Sequence, residues 1–422
     1  MAAGILFGIL FVLLFLGVPI AICLGIAAAV TMIATGNIQY LAAVPTRMFT
    51  QLDNTTLMAV PFFILAGNIM AEGGISDRLI GFFELLLKRL PGRLACISVV
   101  ASGFFGAISG SNPATVAAIG GICAPRMIRK GYSPEKAAAI AASSGTLGVV
   151  IPPSIPMVTY AVTAGVSIVA MFQAGWVPGI MLIVGLCIAN IIMCHKFDSI
   201  DTAQYSPKEY LLRFKDAFLA LLMPFIILGG IYSGFFTPTE SAAVACVYAL
   251  IISCFVFREL DIKGLYKVFK DSCVSSAVVL FVVGMSAPFA WFMTSENIPA
   301  MISTAVMSAF SNKFVILLVM NLLLLFLGCF LETQSIILLV TPILLPITTA
   351  LGISPIALGL IIIVNTSIGM ITPPMAVNLF VASGICKTSI GAVSKKILPY
   401  LLLEFGILLL YTYIPIIFGI TI

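Results

Sequence analysis

Small hydroxyl and amide residues gather at four points inside long apolar segments of this 422-residue chain. Two lie in the first half of the chain, at "SGSNPAT" from Ser109 and at "SSGTLGVVIPPS" from Ser143. Two lie in the second half, at "ETQS" from Glu332 and at "NTSIGMITPP" from Asn365. Side-chain oxygens of this kind, together with the exposed ends of an interrupted helix, can bind small cations and anions. These four segments are therefore the candidate binding residues.

The segments that carry these residues are predicted to be membrane helices. The chain is 61% hydrophobic and 9% charged, with a mean hydropathy of +1.20, whereas soluble domains carry roughly 25% charged residues. Apolar runs of about 20 residues recur along its length, which predicts transmembrane helices rather than the alternating strands of a barrel. The first run, Gly4 to Ala34, lacks a cleavage pattern, and we interpret it as one retained helix and not as a signal peptide.

The proline pair Pro152-Pro153 falls in the middle of the apolar run from Ala137 to Ala164. Each proline removes a backbone donor and clashes with the preceding turn, so the helix should break there. Non-helical backbone inside a bilayer persists only where it is buried in protein or lines a cavity. The run is therefore predicted to be a broken helix beside a binding site, and the second half repeats this pattern at Thr372-Pro373-Pro374.

The uncharged segment from Leu94 to Pro125 is predicted to be a re-entrant hairpin. A single span needs about 20 residues, and this segment is longer. Basic clusters flank it at Lys88–Arg93 and Arg126–Lys136. Because basic loops stay in the cytoplasm, both ends should lie on that face. The turn-forming residues Ser109–Thr115 should make the tip of the hairpin.

A second over-long apolar segment, Phe314 to Leu351, is broken at Glu332–Ser335 and has no basic cluster at either end. It should be a hairpin that enters from the outer face. The hairpins and broken helices of the two halves correspond at a displacement of 221 residues, which pairs Pro152 with Pro373. The chain is therefore predicted to be an inverted structural repeat, each half with a re-entrant helical hairpin and a broken helix.

No lysine or arginine occurs in segments 94–125, 137–194 and 314–386. A carboxylate bound there would depend on helix N-termini, side-chain dipoles and a co-bound cation. Since each bound cation offsets the cost of bringing an anion to the middle of the membrane, this favours symport with Na⁺. Glu332 is the only charged residue in these segments; it is either functional or at a hairpin tip that touches water.

Several other classes of protein are disfavoured. The lone histidine, His195, lies beside Lys196 at the end of an apolar run, which suits a membrane interface better than a metal site or a catalytic pair. The chain has no Gly-x-x-x-x-Gly-Lys phosphate loop, and its ten cysteines form no Cys-x-x-Cys pair. We therefore expect neither an ATPase nor a membrane enzyme. The net charge of +5 reports topology, and no nucleic-acid binding is expected.

Five motifs, in this order, resemble the large membrane subunit of the tripartite ATP-independent periplasmic (TRAP) transporters. They are "AVPFFILAGNIMAEGGISDRLI" from Ala59, "GAISGSNPATVAAIG" from Gly106, "GTLGVVIPPSIPMVTYA" from Gly145, "GGIYSGFFTPTESAAVACVYAL" from Gly229 and "NTSIGMITPPMAVNLFV" from Asn365. The resemblance covers essentially the whole chain. It implies an all-α polytopic membrane protein of the ion-transporter superfamily, and an elevator-type transporter whose hairpins and broken helices move against a scaffold.

This resemblance implies five segments. Residues 1–93 would form the scaffold helices and arm of the first repeat. Residues 94–165 would form its transport-domain hairpin and broken helix. Scaffold helices, central cytoplasmic loops and the second arm take residues 166–312. The second hairpin and broken helix take residues 313–386, and the C-terminal helix takes residues 387–422.

The resemblance also implies a function, partners and a location. The chain would be the permease subunit of a Na⁺-coupled importer of an organic acid anion such as a C4-dicarboxylate, sialic acid or a related sugar acid. Its partners would be a small four-helix membrane subunit on a separate polypeptide, a periplasmic substrate-binding protein and the lipid bilayer. It would be a multi-pass protein of the bacterial inner (cytoplasmic) membrane.

The expected site residues all lie at the four interruptions. The predicted substrate-binding residues are Ser111, Asn112, Thr115, Ser154, Gln334, Ser335 and Thr372. The predicted Na⁺ neighbourhoods are Ser111, Asn112, Ser144, Gly145, Thr146, Glu332, Thr333, Asn365, Thr366, Ser367 and Thr372.

Two other transport functions stay open. A stand-alone Na⁺/dicarboxylate symporter of the same superfamily would need no binding protein. An ion channel or a Na⁺/H⁺ antiporter would also suit an apolar helical chain. An antiporter should carry a buried proton relay, for which Glu332 is the only candidate.

Overall fold

The computed structural model describes residues 2–197, 207–310, 312–373 and 376–418. Over these residues the chain forms 21 α-helices and no strand. Seven helices are long and apolar enough to cross a bilayer, or eight if the bent pair Pro134–Val150 and Ile155–Ala164 counts as one span. The prediction of an all-α polytopic membrane protein is confirmed.

The first apolar run forms two helices and not the single helix that we expected. Helix α1 (Ala2–Phe15) and helix α2 (Ile20–Ala34) pack against each other. Between them, Gly17 has a φ of 77°, a left-handed conformation that glycine adopts at little cost. Pro19 directly precedes α2 and cannot continue the hydrogen bonding of α1. The expectation of one retained helix over Gly4–Ala34 is therefore wrong.

Nineteen further α-helices follow in the described residues. In chain order they are α3 (Ala43–Leu52), α4 (Ala59–Glu72), α5 (Ile75–Leu86), α6 (Arg93–Ser109), α7 (Asn112–Thr115), α8 (Gly121–Arg129), α9 (Pro134–Ser144), α10 (Leu147–Val150), α11 (Ile155–Ala164), α12 (Ile168–Cys194), α13 (Pro207–Tyr232), α14 (Pro238–Ile251), α15 (Ile262–Ser295), α16 (Ile298–Ala309), α17 (Lys313–Gly328), α18 (Thr333–Ala350), α19 (Pro355–Gly369), α20 (Val377–Cys386) and α21 (Ile390–Phe418). A π-helical segment, Val116–Gly120, joins α7 and α8 into one continuous stretch.

The helices form two packed groups. The outer group, α1–α5 and α13–α15, is held together by contacts of α4 with α14 and of α15 with α2, α3 and α4. The break group, α6–α12 and α17–α21, contains all four predicted interruptions. Within it, α12 packs against α6 and α19, and α21 packs against α9 and α12. Helix α16 lies against α18 and α15. The segment boundaries expected from the sequence stay a prediction.

The first hairpin turns at Gly110–Ser111. Helix α6 ends immediately before this turn, and the α7–α8 stretch follows it and packs back on α6. The predicted tip, Ser109–Thr115, is too long, because Asn112–Thr115 already form a helical turn. Pro113 favours this early start, since the first turn of a helix does not use the N–H that proline lacks.

The first broken helix has two interruptions. Helix α11 begins after the non-helical residues Ile151–Ser154 and is bent by 42° from the preceding helix. This confirms the break predicted at Pro152-Pro153. A shorter turn at Gly145–Thr146 separates α9 from α10, and no proline marks it in the sequence.

In the second half, one interruption lies a few residues before its predicted place, and the other includes the predicted Thr372-Pro373. Helices α17 and α18 meet at Cys329–Glu332, and Thr333–Ser335 are the first turn of α18 and not part of the break. Helix α19 runs through to Gly369, and α20 begins at Val377. Pro374, part of the predicted second proline break, lies with Met375 outside the described residues.

Glycines let hairpins and broken helices cross at very short distances in both halves. A Cβ atom on Gly148 would lie 2.6 Å from the Ser111 carbonyl oxygen, and one on Gly106 would lie 2.7 Å from Gly148 Cα. In the second half, a Cβ on Gly369 would lie 2.5 Å from Gly328 Cα. Backbone atoms occupy both sides of these crossings, so the neighbours cannot rotate away as a side chain would.

Replacing Gly369 by alanine should therefore destabilise the protein, by about 1–3 kcal/mol for an overpacked site. The matched control is Gly229→Ala on α13, where nothing lies within 4 Å of the added Cβ. The measurement is the free energy of unfolding in detergent micelles for both variants. Equal stability of G369A and G229A would contradict the close crossing.

Candidate functional site

The two hairpin tips border a cavity of about 340 Å³ between the break group and the outer group. This volume lies within the range of small-molecule binding sites. Helices α4 and α15 form the outer-group wall. The polar lining comprises Ser109, Ser111 and Asn112 of the first tip, Glu332, Thr333 and Gln334 of the second, and Asn68 and Ser275 of the outer group.

Three helix N-termini open on this cavity. The α7–α8 stretch begins after Ser111, α11 begins after Ser154 and α18 begins after Glu332, and none of these N-cap side chains bonds to its own helix. The first residue of each helix is part of the cavity wall. The first N–H groups of a helix have no intrahelical partner and carry partial positive charge. The wall therefore presents N–H donors of the kind that bind anions.

Basic side chains play no part in this arrangement. Among the described residues that line the cavity, Glu332 is the one charged side chain. It is exposed on the second tip, and no ion pair is formed by it within the described part of the chain. Its charge opposes binding of an anion, whereas the helix N-termini favour it.

A buried chain of hydrogen bonds connects the first tip to both broken helices. Asn112 Nδ2 donates to Ser367 Oγ at 2.8 Å, and Ser367 Oγ donates to the Thr146 carbonyl oxygen at 2.6 Å. All three residues are fully buried. Thr146 and Ser367 are separated by 221 residues, the displacement of the predicted repeat, so this bond joins positions that the repeat pairs.

Two of the predicted substrate-binding residues support the backbone at the breaks instead of lining the cavity. Thr115 Oγ1 donates to the Ser111 carbonyl oxygen at 2.8 Å and lies 3.0 Å from Ser109 Oγ, which fixes the turn at the first tip. Ser154 Oγ donates to the Val149 carbonyl oxygen at 2.6 Å and bridges the first broken helix.

The remaining predicted site residues lie behind the polar lining. They are Ser144, Gly145, Ser335, Asn365, Thr366 and Thr372. The three hydroxyls of Ser144, Thr366 and Thr372 donate to carbonyl oxygens one turn earlier in the chain, at 2.7–2.9 Å. Asn365 Nδ2 donates to Asn321 Oδ1 at 2.9 Å. The structure thus separates the cavity lining from a layer of buried polar residues and half-buried Thr372, and the ligand roles of both stay predictions.

Five buried side-chain oxygens near the breaks have no hydrogen-bond donor among the described residues. They are Oδ1 of Asn112, Asn365 and Asn378, Oε1 of Gln334 and Oε2 of Glu404. An unpaired buried acceptor costs about 1–3 kcal/mol, and oxygen atoms of this kind are ligands for Na⁺ at helix breaks. The donor set therefore fits Na⁺. The described residues hold no cluster of three His, Cys, Asp or Glu side chains.

Several residues of this region were missed from the sequence. Glu404 on α21 is the clearest, because it is a carboxylate in the middle of an apolar helix and such residues are functional candidates by default. Asn378 on α20 carried no comparable signal. Asn68 and Ser275 line the cavity only because α4 and α15 pack beside the hairpin tips, and no local pattern reports that packing.

A cavity bounded by interrupted helices is the arrangement of secondary transporters. The comparison with known proteins identifies the family. Residues 7–417 match the family described as "Tripartite ATP-independent periplasmic transporter, DctM component". The chain belongs to this family, and the predicted family resemblance is confirmed. It is a TRAP large permease component and a multi-pass membrane protein of a transporter family.

Its curated relatives include transporters named for different organic acids. The "Isethionate TRAP transporter permease protein DctMQ" of Oleidesulfovibrio alaskensis is 42% identical over 97% of this chain, which spans 65% of that relative. The "C4-dicarboxylate TRAP transporter large permease protein DctM" of Rhodobacter capsulatus is 37% identical over 98% of this chain and 97% of its own length. The "Sialic acid TRAP transporter large permease protein SiaM" of Vibrio cholerae is 36% identical over 96% and 94%.

Among solved structures, the chain is similar in fold to the YdaH transporter of Alcanivorax borkumensis. The TM-score is 0.64, and the match covers 91% of this chain and 90% of that chain. The two sequences are 16% identical, so this similarity concerns the fold alone.

The Asn112–Ser367–Thr146 chain predicts coupled effects on stability. Asn112→Ala and Ser367→Ala should each cost about 1–3 kcal/mol, because each leaves a buried polar partner unpaired. The double variant should cost less than the sum of the two, by about 0.5 kcal/mol or more.

The free energy of unfolding of the two single variants and the double variant measures this coupling. The control cycle pairs Asn112→Ala with Thr294→Ala, whose hydroxyl bonds only within α15, to the Ala290 carbonyl oxygen. Additive effects in the first cycle would show that the bond between the tip and the broken helix does not form.

Proposed function

We propose that the chain imports a small organic acid anion together with Na⁺ across the bacterial inner membrane. It would receive the anion from a soluble periplasmic binding protein and work with a small membrane subunit. The observation that carries this proposal is the cavity between the hairpin tips. Three helix N-termini open on this cavity, and its described lining contains no lysine or arginine.

The substrate class follows from the chemistry of this lining. An acidic head group suits the N–H donors at the starts of α7, α11 and α18. The amide and hydroxyl groups of Ser111, Asn112 and Gln334 can donate to further oxygens of the ligand. The relatives named for isethionate, C4-dicarboxylates and sialic acid share such a head group, a sulfonate or a carboxylate. We therefore propose a small carboxylate or sulfonate as the substrate.

Na⁺ is proposed as the coupling ion on electrostatic grounds. An anion that enters this cavity adds negative charge beside Glu332, and the described residues of the lining include no lysine or arginine. Inward movement of each negative charge also opposes the membrane potential, at about 2.3 kcal/mol per 100 mV. Co-bound Na⁺ offsets both costs. The unpaired acceptor oxygens of Asn112, Gln334 and Asn365 are oxygen ligands of the required type.

The position of the cavity supports an elevator motion. Its walls belong to the two groups of helices, with the hairpin tips on one side and α4 and α15 on the other. Gly67 on α4 contacts the first tip so closely that a Cβ would lie 2.9 Å from Ser109 Cα. Because Gly67 has no side chain, nothing protrudes from α4 at this contact. The hairpin tips could therefore slide along α4, and the cavity would move with them.

The proposal is tested by uptake into liposomes that contain the full chain and a small TRAP membrane subunit. The panel of radiolabelled acids includes C4-dicarboxylates, sialic acid and isethionate, with and without the soluble binding protein and an inward Na⁺ gradient. We expect uptake of one acid only when both the binding protein and Na⁺ are present. Ser111→Ala should lower this uptake, whereas Ser308→Ala on the exposed face of α16 should not.

Two results would contradict parts of the proposal. Uptake at full rate without any soluble protein would support a stand-alone symporter instead. Equal uptake when choline replaces Na⁺ would remove sodium as the coupling ion.

A further inference from the structure

Glu404 is a carboxylate in the middle of the C-terminal helix α21, and it is fully buried. The residues on either side of it, from Ile397 to Phe418, include no other charged residue. Helix α21 packs against α9, α12, α19 and α20, so this side chain lies within the break group. It contacts the first broken helix at Thr146, in the turn between α9 and α10.

The neighbours of Glu404 satisfy its carboxylate poorly. Thr146 Oγ1 lies 3.2 Å from Oε1, but the same hydroxyl lies 2.6 Å from the Ser143 carbonyl oxygen. A hydroxyl has one hydrogen to donate, and the shorter contact takes it. Oε2 has no donor among the described residues. Both carboxylate oxygens therefore lack a full hydrogen bond.

Four helices around Glu404 supply no basic side chain that could compensate this charge. Helices α10, α12, α19 and α20 contain no Asp, Glu, Lys, Arg or His. The nearest cations on the other two elements are Lys396, eight residues before Glu404 on α21, and Lys136, ten residues before Thr146 on the α9 side. At a rise of 1.5 Å per residue these lie about 12–15 Å away along the helices, and Lys136 Nζ donates to the Met193 carbonyl oxygen. A buried carboxylate without a counter-charge is very costly.

The surroundings of Glu404 are built from other electron-rich groups. Helix α9 ends at Ser144, and a helix C-terminus carries partial negative charge. Asn378 Nδ2 contacts the Ala142 carbonyl oxygen at 3.4 Å and leaves its buried Oδ1 unpaired. Glu404 thus contacts one end of the segment Ala142–Thr146, at Thr146, and Asn378 contacts the other end, at Ala142. Carboxylate, amide and carbonyl oxygens are the ligands of hard cations.

We infer that Glu404 supplies the carboxylate of a Na⁺ site at the Ala142–Thr146 segment, formed between the C-terminal helix and the first broken helix. The inference rests on the sodium coupling proposed above, and it assigns the charged ligand to α21, outside the four predicted interruptions. Na⁺ bound there neutralises the buried carboxylate and holds the α9–α10 turn against α21. Asn378 and Thr146 contribute neutral oxygens.

The test measures Na⁺ binding directly, on the purified full chain in lipid nanodiscs, without transport. Titration with ²²Na⁺, at constant ionic strength with choline, gives the affinity of each variant. Glu404→Gln keeps the shape and an oxygen but removes the charge, and we expect roughly tenfold to hundredfold weaker Na⁺ binding. Glu296→Gln removes a carboxylate from the end of α15 in the outer group and should leave Na⁺ binding unchanged.

The outcomes separate this inference from the proposed function. A wild-type chain that binds no Na⁺ would remove the sodium coupling and this site with it. If the wild-type chain binds Na⁺ and Glu404→Gln leaves that affinity unchanged, only this site is removed. A proton would then neutralise Glu404 in place of Na⁺.

Thermal unfolding without Na⁺ shows whether the glutamine variant folds. If it does not fold, Glu404→Asp replaces it in the titration. Aspartate keeps the charge but withdraws the carboxylate by one methylene, a larger shift than the about 0.2 Å that a metal–ligand distance tolerates. We expect severalfold weaker Na⁺ binding, and an unchanged affinity of the aspartate variant would overturn the assignment.

Discussion

Helix interruption inside a bilayer is the constraint on which this structure depends. Backbone groups that leave a helix find no water in the hydrocarbon region and must be satisfied by protein or by a ligand. The break group meets this constraint in two ways. Side chains such as Ser154 and Thr115 donate to backbone carbonyl oxygens beside the breaks. Glycine crossings such as Gly328 with Gly369 bring backbone against backbone and leave no gap.

Several of the polar groups that the described protein leaves unpaired lie around the helix interruptions. The N–H groups at the starts of α7, α11 and α18 face one cavity with no capping side chain. Unpaired acceptor oxygens of Asn112 and Gln334 lie in the same wall, and that of Asn365 lies behind it. Donors suit an anion and acceptors suit a cation, so one set of interrupted helices can hold both. In the proposed function, the described lining offers no lysine or arginine, so the cation would supply the positive charge that favours binding of the anion.

The sequence predicted the helical class, the family and the approximate positions of the interruptions. Pro152 and Pro153 located one break because proline acts locally on the backbone. Interruptions without such a marker were shifted by a few residues, since Asn112–Thr115 and Thr333–Ser335 read as turn formers yet begin helices. The same preference for N-terminal positions explains both errors, because these residue types favour helix starts as well as turns.

Other features depend on tertiary packing and had no local signal. The outer wall of the cavity comes from Asn68 and Ser275, which are far from the hairpin tips in sequence. The division of Gly4–Ala34 into two helices depends on one glycine conformation at Gly17. Glu404 is different, because an isolated carboxylate in an apolar run is visible in the sequence. The sequence does not show which helix interruption Glu404 lies against; its contact with Thr146 in the structure does.

The central claim is that Na⁺ and an organic anion occupy the cavity between the hairpin tips together. Labelling of a single cysteine tests it most directly, with Ser111→Cys at the first tip and Ser308→Cys on α16 as the control, in a chain whose ten native cysteines are replaced. We predict that Na⁺ and the transported acid together slow labelling at position 111, that the acid without Na⁺ does not, and that position 308 is unaffected. Identical labelling rates at position 111 under all these conditions would contradict the account.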